Sequence, residues 1–389
     1  LSNVQQFMKC KGIDLWALYD FRGGNPIFWQ LLGGKRTTTR RSFLFLPCEG
    51  EAKLLTHAIE RQVFESLPIE VSVYAGRGDL NQRLEAMLDG VKRAAMEYSP
   101  MNELPTVSWV DGGTLELVRS YGVEVVSSAD LFQLALTTWS PEARQSHHDA
   151  CAAVAATKDA AFRFISEALS RQRRVSEYEA QEFIVQRFDD LGLESDHRPI
   201  VAVNSNSGNP HYEPTVAAAR PIKLGDWVLM DLWARLPGEQ NIFGDITWVA
   251  YAGTKVPEKM QEVFGIVART RDLVLEELEQ GWKIGNSPRG WELDQVARAY
   301  IAEAGYGEFF VHRLGHSLGP GPSVHGLGVN LDNLETRDTR QLLPGTGFTV
   351  EPGIYLPEFG VRLEVNVYID TEFGPQVTTP MQREIVHLI

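Results

Sequence analysis

Two hydrophobic periodicities divide the chain. Over the first 140 residues, short β-branched and aromatic runs alternate with helical stretches, and residues 15–19, 42–46, 71–74, 107–110 and 123–126 read as strands. Between the last two, Gly112-Gly113 opens a short helical segment that closes near Gly122. Strand, helix and strand in so few residues predict a parallel crossover in an α/β layer. Ser140-Pro141-Glu142 then punctuates the sequence, with Pro141 placed to start a long helix over residues 141–170. The domain boundary is set there, giving an N-terminal domain of residues 1–140 and a second domain of residues 141–389.

In the second domain, Met260, Val263, Phe264, Val267, Val274, Leu275 and Leu278 line one face of a helix ending at Gly281. Leu293, Val296, Ala297, Tyr300, Ile301 and Ala304 do the same before Gly305. Residues 227–233, 242–251, 348–355, 361–369 and 384–388 read as strands of an antiparallel sheet. Long strands separated by amphipathic helices predict an α+β domain with the helices on one sheet face.

Composition narrows the function. Over 389 residues, 43% hydrophobic and 23% charged content is globular, and the length suits two or three domains. Apolar runs such as residues 227–230 are far too short to span a bilayer, so no membrane partner is expected. No charged segment followed by an apolar one opens the chain, so no secretory signal is expected. Fifty-one acids against 37 Lys and Arg leave a net charge of −14, which repels phosphate backbones and argues against nucleic acid as a partner. Two basic clusters read as solvated turns. Lys35, Arg36, Arg40 and Arg41 suit a hairpin tip, and Arg171, Arg173 and Arg174 suit a helix end. Arg77-Gly78-Asp79 reads as a turn as well. Cys10, Cys48 and Cys151 are scattered and odd in number, which fits neither a disulfide framework nor a metal knuckle and points to a cytoplasmic location.

The chemistry shows in acids placed where cores should be. Asp231 follows Trp227-Val228-Leu229-Met230, and Asp245 sits within Phe243-Gly244-Asp245-Ile246-Thr247. Glu351 follows Phe348-Thr349-Val350, and Glu364 lies within Val361-Arg362-Leu363-Glu364-Val365. An ionised carboxylate inside an apolar strand must be paired or metal-bound. One such acid suits a buried salt bridge, but four require several cations, and Arg362 is the only basic residue embedded among them. His316 sits between Gly315 and Gly319, which permit close backbone approach. Four carboxylates and an imidazole suit hard or borderline divalent ions. Four anionic ligands neutralise two dications, so a dinuclear site with ions about 3.5–4 Å apart is favoured.

The order of these motifs resembles the pita-bread metallopeptidase superfamily, which includes methionine aminopeptidases, Xaa-Pro aminopeptidases, prolidases and creatinase. Its ligand order Asp, Asp, His, Glu, Glu is matched by Asp231, Asp245, His316, Glu351 and Glu364. The surrounding words match too, in Gly244-Asp245-Ile246-Thr247, residues 312–319, residues 349–355 and Val361-Arg362-Leu363-Glu364. The resemblance covers residues from about 140 onward, and the first half is more loosely similar to the N-terminal domain of creatinase and prolidase. It implies a creatinase-like α/β domain followed by a pita-bread domain, with a curved antiparallel sheet flanked by helices. It further implies that Asp231 chelates one ion, that His316 and Glu351 bind the other, and that Asp245 and Glu364 bridge. Glu351 would also carry the proton of the attacking water. His211 and His325 would hydrogen-bond the scissile amide and the tetrahedral intermediate, and His312 would line the substrate pocket. Arg362 would steady the carboxylates from behind.

The implied activity is metal-dependent cleavage of Xaa-Pro bonds in short peptides by a homodimer, with manganese first among the ions and cobalt, zinc or iron as alternatives. Other members of the fold run different reactions, such as a metal-dependent lyase on a small sulfonium compound, or serve as non-catalytic binding modules. The complete ligand set opposes the binding module. The three retained histidines favour peptide hydrolysis over the lyase. Three departures from the usual pattern bear on substrate fit: the fourteen-residue interval from Asp231 to Asp245, Trp248 where many relatives carry Arg, and Val365 where many carry Asp. The thirteen-residue interval from Glu351 to Glu364 looks more like the dipeptidase branch.

Overall fold

The central strands of the first sheet are buried on both faces, as strands covered from two sides require. The computed structural model describes residues 2–389, and the chain divides between Leu136 and Thr137 into two units. The first runs α1 (Ser2–Lys11), β1 (Leu15–Phe21), α2 (Pro26–Leu31), β2 (Arg41–Pro47), β3 (Lys53–His57), α3 (Arg61–Phe64) and β4 (Glu70–Tyr74). It continues through α4 (Arg77–Leu88), β5 (Arg93–Met96), α5 (Gly112–Ser120), β6 (Glu124–Ser127) and α6 (Ala129–Leu136). The six strands form one mixed sheet in the order β4-β3-β2-β1-β5-β6. Leu15, Ala17 and Tyr19 of β1 pack with Leu80, Leu84 and Leu88 of α4 and with Leu115 and Val118 of α5.

Three local expectations are corrected in this unit. Residues 107–110 form no strand. Pro105 opens a single 3₁₀ turn (Pro105–Val107), after which the Trp109 and Val110 N–H groups both donate to the Glu97 carbonyl, at 2.9 and 3.1 Å. The parallel partner of β6 is β5, whose Ala94-Ala95 core carries little strand propensity and so escaped the hydrophobic pattern. Arg77-Gly78-Asp79 is the first turn of α4 rather than a free turn, with Asp79 accepting the Ala75 N–H at 2.8 Å. Lastly, β1 and β2 pair antiparallel but are joined through α2, so Lys35, Arg36 and Arg40 lie in a return loop and Arg41 begins β2.

The second unit opens with α7 (Pro141–Ser170), where Ser140 Oγ accepts the Ala143 N–H at 3.1 Å and Pro141 fills the first helical position. A capping box of Ser176 and Glu179 starts α8 (Glu177–Asp190). Then come β7 (Ile200–Val203), β8 (Trp227–Ala234), β9 (Gly244–Tyr251), α9 (Glu258–Lys283) and α10 (Gly290–Glu303). The remaining strands are β10 (Ser317–Leu318), β11 (Gly347–Val350), β12 (Gly353–Tyr355), β13 (Gly360–Arg362), β14 (Val365–Asp370), β15 (Gly374–Val377) and β16 (Val386–His387). Two four-stranded sheets, β16-β9-β8-β7 and β10-β11-β14-β15, are joined by the β12-β13 ribbon. Pairing is antiparallel except at β16, which runs parallel to β9 at the sheet edge.

Side-chain alternation decides what each face of the β8-β9 sheet meets. Val228, Met230, Leu232 and Ala234 join Ile246 and Ala250 in a core with α7 and α8. Trp227, Leu229, Val249 and Tyr251 point the other way, into the core shared with α9, α10 and strands β11 to β14. Helices therefore flank the sheets from two sides rather than one. Among the described residues, no helix is long and apolar enough to cross a membrane.

The packing of α7 on β9 is tight at Gly244, where a Cβ would stand 2.7 Å from the Cys151 nitrogen and 2.9 Å from the Ala150 carbonyl carbon. Helix backbone cannot move aside as a side-chain end can. Gly244→Ala is expected to destabilise the chain by about 1–3 kcal/mol. Urea denaturation followed by tryptophan fluorescence checks this, and an unchanged midpoint contradicts the close approach.

Candidate metal centre

The register of β8 and β9 brings the first two acids together. Asp231 pairs with Thr247 and Trp233 with Asp245, so Asp231, Trp233, Asp245 and Thr247 share one face and the two acids stand diagonally across the ladder. The fourteen-residue spacing is thus the length of this hairpin measured between same-face positions. Asp245 is fixed from behind by Asn366 of β14, whose side chain accepts the Asp245 N–H at 2.9 Å and donates to its carbonyl at 2.7 Å.

Glu351 and Glu364 do not sit inside strands, as the apolar pattern had suggested. Pro352 interrupts the first run, so residues 348–355 divide into β11 and β12, and residues 361–369 divide into β13 and β14. Val350 stands opposite Val365 and Gly353 opposite Arg362, a single continuous register. In that register Glu351 and Glu364 face each other at the break where the hairpin passes from one sheet to the ribbon. The Glu351 N–H is held by the Leu314 carbonyl at 2.8 Å, and the Glu364 N–H by the Thr247 carbonyl at 3.2 Å. His316 enters beside them just before β10. Its N–H donates to Thr349 Oγ1 at 2.9 Å, and the same hydroxyl donates to Glu351 Oε1 at 3.1 Å.

Eight of the nine residues singled out from the sequence line one cavity of about 420 Å³: His211, Asp231, Asp245, His316, His325, Glu351, Arg362 and Glu364. His211 is exposed in the loop after β7, its N–H bonded to Asn209 Oδ1 at 3.1 Å. The His325 ring meets that of His316 edge to face, with centroids 4.3 Å apart. His312 is the exception. It stands outside the cavity lining, accepting at Nε2 from Tyr355 Oη at 2.7 Å while its Nδ1 donates to the Arg313 carbonyl at 2.6 Å. Burial and then Arg362 push its pKa down to about 3, so it is a neutral ring in the wall. Both ring nitrogens of His312 are thus engaged, at Tyr355 and at the Arg313 carbonyl.

Charge dominates the cavity. Arg362 donates from Nη2 to Asp231 Oδ2, from Nε to Thr247 Oγ1 at 3.0 Å and from Nη1 to Tyr355 Oη at 3.0 Å. It is committed on all three nitrogens. Thr247 has one proton but lies 2.8 Å from Glu364 Oε2 and 3.1 Å from Asp231 Oδ1, so it satisfies only one of them at a time. Asp245 Oδ1 is buried with no hydrogen-bond partner. His316 Nδ1 faces the Ser317 carbonyl at 3.2 Å, which leaves Nε2 as a lone pair 3.4 Å from Asp245 Oδ2 and 3.7 Å from Glu351 Oε1. Both distances exceed that of a good hydrogen bond, so Nε2 is open toward the two carboxylates.

The protonation equilibria register the same deficit. Desolvation first, and then Asp231, drive the Asp245 pKa well above the carboxylate range. Desolvation, Asp245 and Glu351 do the same for Glu364, and burial raises Glu351 despite His316 and Arg362. Burial lowers His316 and keeps it neutral. Burial opposes the charge of Arg362 too, yet Asp231 and its neighbours hold that guanidinium firmly ionised. Four carboxylates against one guanidinium leave a buried negative excess that only cations or protons can remove. Ligand atoms of Asp245, His316 and Glu364 lie within 4.8 Å of one another, so this buried group could hold a metal ion.

Sequence reading missed the residues that orient the acids: Thr247, Thr349, Tyr355 and Asn366. Three lie two positions from a predicted ligand (Thr247 from Asp245, Thr349 from Glu351, Asn366 from Glu364), and for Thr247, on the same face of β9 as Asp245, strand period alone could have nominated it. Asp196 was missed without such a signal. It accepts Trp233 Nε1 at 2.7 Å and the Val324 N–H at 3.1 Å, tying the His325 loop to β8.

Comparison with known proteins gives the family and the fold. Residues 145–371, more than half of the chain, match metallopeptidase family M24. A putative dipeptidase, YkvY, from Bacillus subtilis is 34% identical over 190 residues, 49% of this chain and 47% of that protein. An Xaa-Pro dipeptidase from Pyrococcus furiosus is 36% identical over 188 residues, 48% of each chain. The matched stretch thus spans about half the length of the curated relatives. A prolidase from Thermococcus sibiricus superposes with a TM-score of 0.62 at 22% identity, covering 99% of this chain and 97% of its own. Dipeptidase PepE from Mycobacterium ulcerans gives 0.68 at 21% identity, covering 100% and 96%. At such identities these structures share the fold.

Folding holds protons on Asp245, Glu351 and Glu364 more tightly than the unfolded chain does. Metal-free stability is therefore expected to fall as pH rises from the ordinary carboxylate range, about 4, toward neutrality. Divalent metal at a hundredfold excess over its dissociation constant should add about 2.7 kcal/mol at neutral pH. Asp245→Asn is expected to raise the melting temperature in chelator while shrinking the increment that manganese gives. Thermal melts with and without manganese check both signs, and a destabilised metal-free variant with a full manganese increment contradicts them.

Proposed function

The chain belongs to metallopeptidase family M24, and we propose that it hydrolyses Xaa-Pro bonds in dipeptides or short peptides with two divalent ions held by Asp231, Asp245, His316, Glu351 and Glu364. The observation that carries this reading is the unbalanced carboxylate cluster on the floor of the cleft, with Asp245 Oδ1 left without a partner. One dication would still leave net negative charge there, whereas two leave a slight positive excess that attracts a polarised substrate. When bound, such a pair supplies Lewis acidity to the scissile carbonyl and to an attacking water. Manganese is the first assignment, and cobalt, zinc or iron suit the same oxygen-rich set.

The chain's own residues then divide the work. Glu351 is the proton carrier. Its Oε1 is taken by Thr349, which leaves Oε2 for the proton, and its side chain is 14% exposed where those of Asp245 and His316 are 5%. A raised pKa suits a group that accepts a proton and returns it to the leaving nitrogen near neutral pH. His211 and His325, both lining the cleft, are assigned to the scissile amide and the developing oxyanion. Arg362 fixes Asp231 and is itself fixed by Tyr355, which His312 anchors in turn. Proline selectivity is supported by the Xaa-Pro dipeptidases among the relatives.

Manganese-loaded protein is expected to cleave Gly-Pro or Ala-Pro, assayed beside an Xaa-Pro-Xaa tripeptide. No cleavage of either with metal bound overturns the peptidase reading in favour of a lyase-type reaction. Glu351→Gln should lower kcat by about 10²–10⁴-fold, and Asp245→Asn should abolish turnover and loosen at least one ion, read by metal analysis after dialysis.

A further inference from the structure

The N-terminal unit has a cavity of its own, of about 440 Å³, which the peptidase reading does not use. Arg22, Arg40, Arg41 and Arg77 line it together with Phe21 and His57. Four guanidiniums thus border one space in a chain whose net charge is −14.

Sheet order explains how they meet. Phe21 ends β1 opposite Arg41 at the start of β2, and His57 ends β3 opposite Tyr74 at the end of β4. Four neighbouring strands stop at one level, and the turns beyond them supply Arg22, Arg40 and Arg77. Ligands of open α/β sheets bind in the crevice beyond the carboxyl ends of the strands. Strands β1, β3 and β4 all run toward this one. Tyr74 Oη donates to the Arg41 carbonyl at 2.8 Å and His57 Nε2 to the Ala75 carbonyl at 3.1 Å, which ties the rim together.

The neighbouring acids are committed elsewhere. Glu70 pairs with Lys53, Glu65 with Arg61 and Asp79 with Arg83. Glu60 Oε1 accepts the Thr39 and Arg40 N–H groups and so fixes the backbone from which those side chains project. Asp20 accepts the Gly23 N–H at 3.0 Å and holds the preceding Arg22 at a φ of +60°, a left-handed backbone that costs energy in a residue with a side chain. Among the described residues, none of the four arginines has a carboxylate partner. Two buried carboxylates, Asp20 and Glu60, against four guanidiniums leave the cavity positive.

We propose that this cavity binds a small phosphate-bearing anion, either free phosphate or a phosphate monoester. Guanidinium forks match phosphate oxygens, and four of them exceed what one carboxylate can engage. A compact anion feels this cluster within a Debye length of about 8 Å, whereas a phosphate polymer meets the acidic surface around it. The half-exposed Phe21 ring, with the Arg22 guanidinium 5.0 Å from its centroid, offers a flat apolar surface for the organic part of an ester. The inference is independent of the peptidase reading.

Calorimetry on the full chain in physiological salt tests it, with inorganic phosphate, adenosine monophosphate, adenosine and hexaglutamate as titrants. Phosphate or the monophosphate should bind saturably at one site, about tenfold or more tightly than adenosine. The tighter of the two identifies the source of the phosphate group. Arg40→Gln and Arg77→Gln, both at exposed positions, should each weaken binding about tenfold. They decide the matter where Arg41→Gln, on a strand, does not fold. Arg36→Gln is the control: its side chain lies outside the cavity lining, bonded to the Val63 carbonyl at 2.8 Å, and its removal should leave the affinity unchanged. An equal loss in Arg36→Gln means diffuse attraction and overturns the proposal. So does the absence of saturable binding, or tighter binding of hexaglutamate, which would mark a docking face for an acidic protein segment. The titrations are repeated in chelator, because phosphate also ligates divalent ions. Binding that survives chelation supports the arginine cavity, and binding lost with the metal overturns it.

Discussion

Four carboxylates gathered around one guanidinium in a desolvated cavity carry a negative excess that only cations or protons remove. Burial strips each acid of its water, and proximity makes each raise the pKa of the others. Arg362 removes one charge and then has no nitrogen left to offer. Thr247 supplies a single proton to two claimants. The hydrogen bonds around the cavity follow from this shortage, because nearly every neutral partner there orients an acid and none neutralises it.

The sheets are arranged to hold that unfavourable cluster rigidly. Asp231 and Asp245 ride on paired strands whose opposite faces are locked into the core with α7 and α8. Glu351 and Glu364 occupy the two facing positions where a hairpin leaves one sheet for another, so neither is part of a ladder. Like charges directly opposed across strands destabilise a pair. Placing them at a break spares the ladder and turns both side chains toward the same space. Asn366 then joins the two sheets where Asp245 projects, through the Asp245 backbone, and Thr349 links His316 to Glu351 within one of them.

Much of this was legible along the chain. Carboxylates interrupting apolar runs marked the acids that the fold gathers in one cavity, and Ser140-Pro141 marked the start of α7. The misreadings have local causes. Strand β5 hides in Ala94-Ala95 because alanine gives no β-branched signal, and residues 107–110 look like a strand although Pro105 has already turned the chain. The orientation of His312 is set by Tyr355, a partner forty-three residues away.

The order and identity of the acids, the imidazole and the long helices belong to the sequence, since strand period, capping residues and charge content are properties of neighbouring positions. Which acids face one another, which of them lacks a partner and where His312 turns were decided only by tertiary structure. Those facts depend on contacts such as Arg362 to Asp231, 131 residues apart, and no local pattern encodes a distance of that kind.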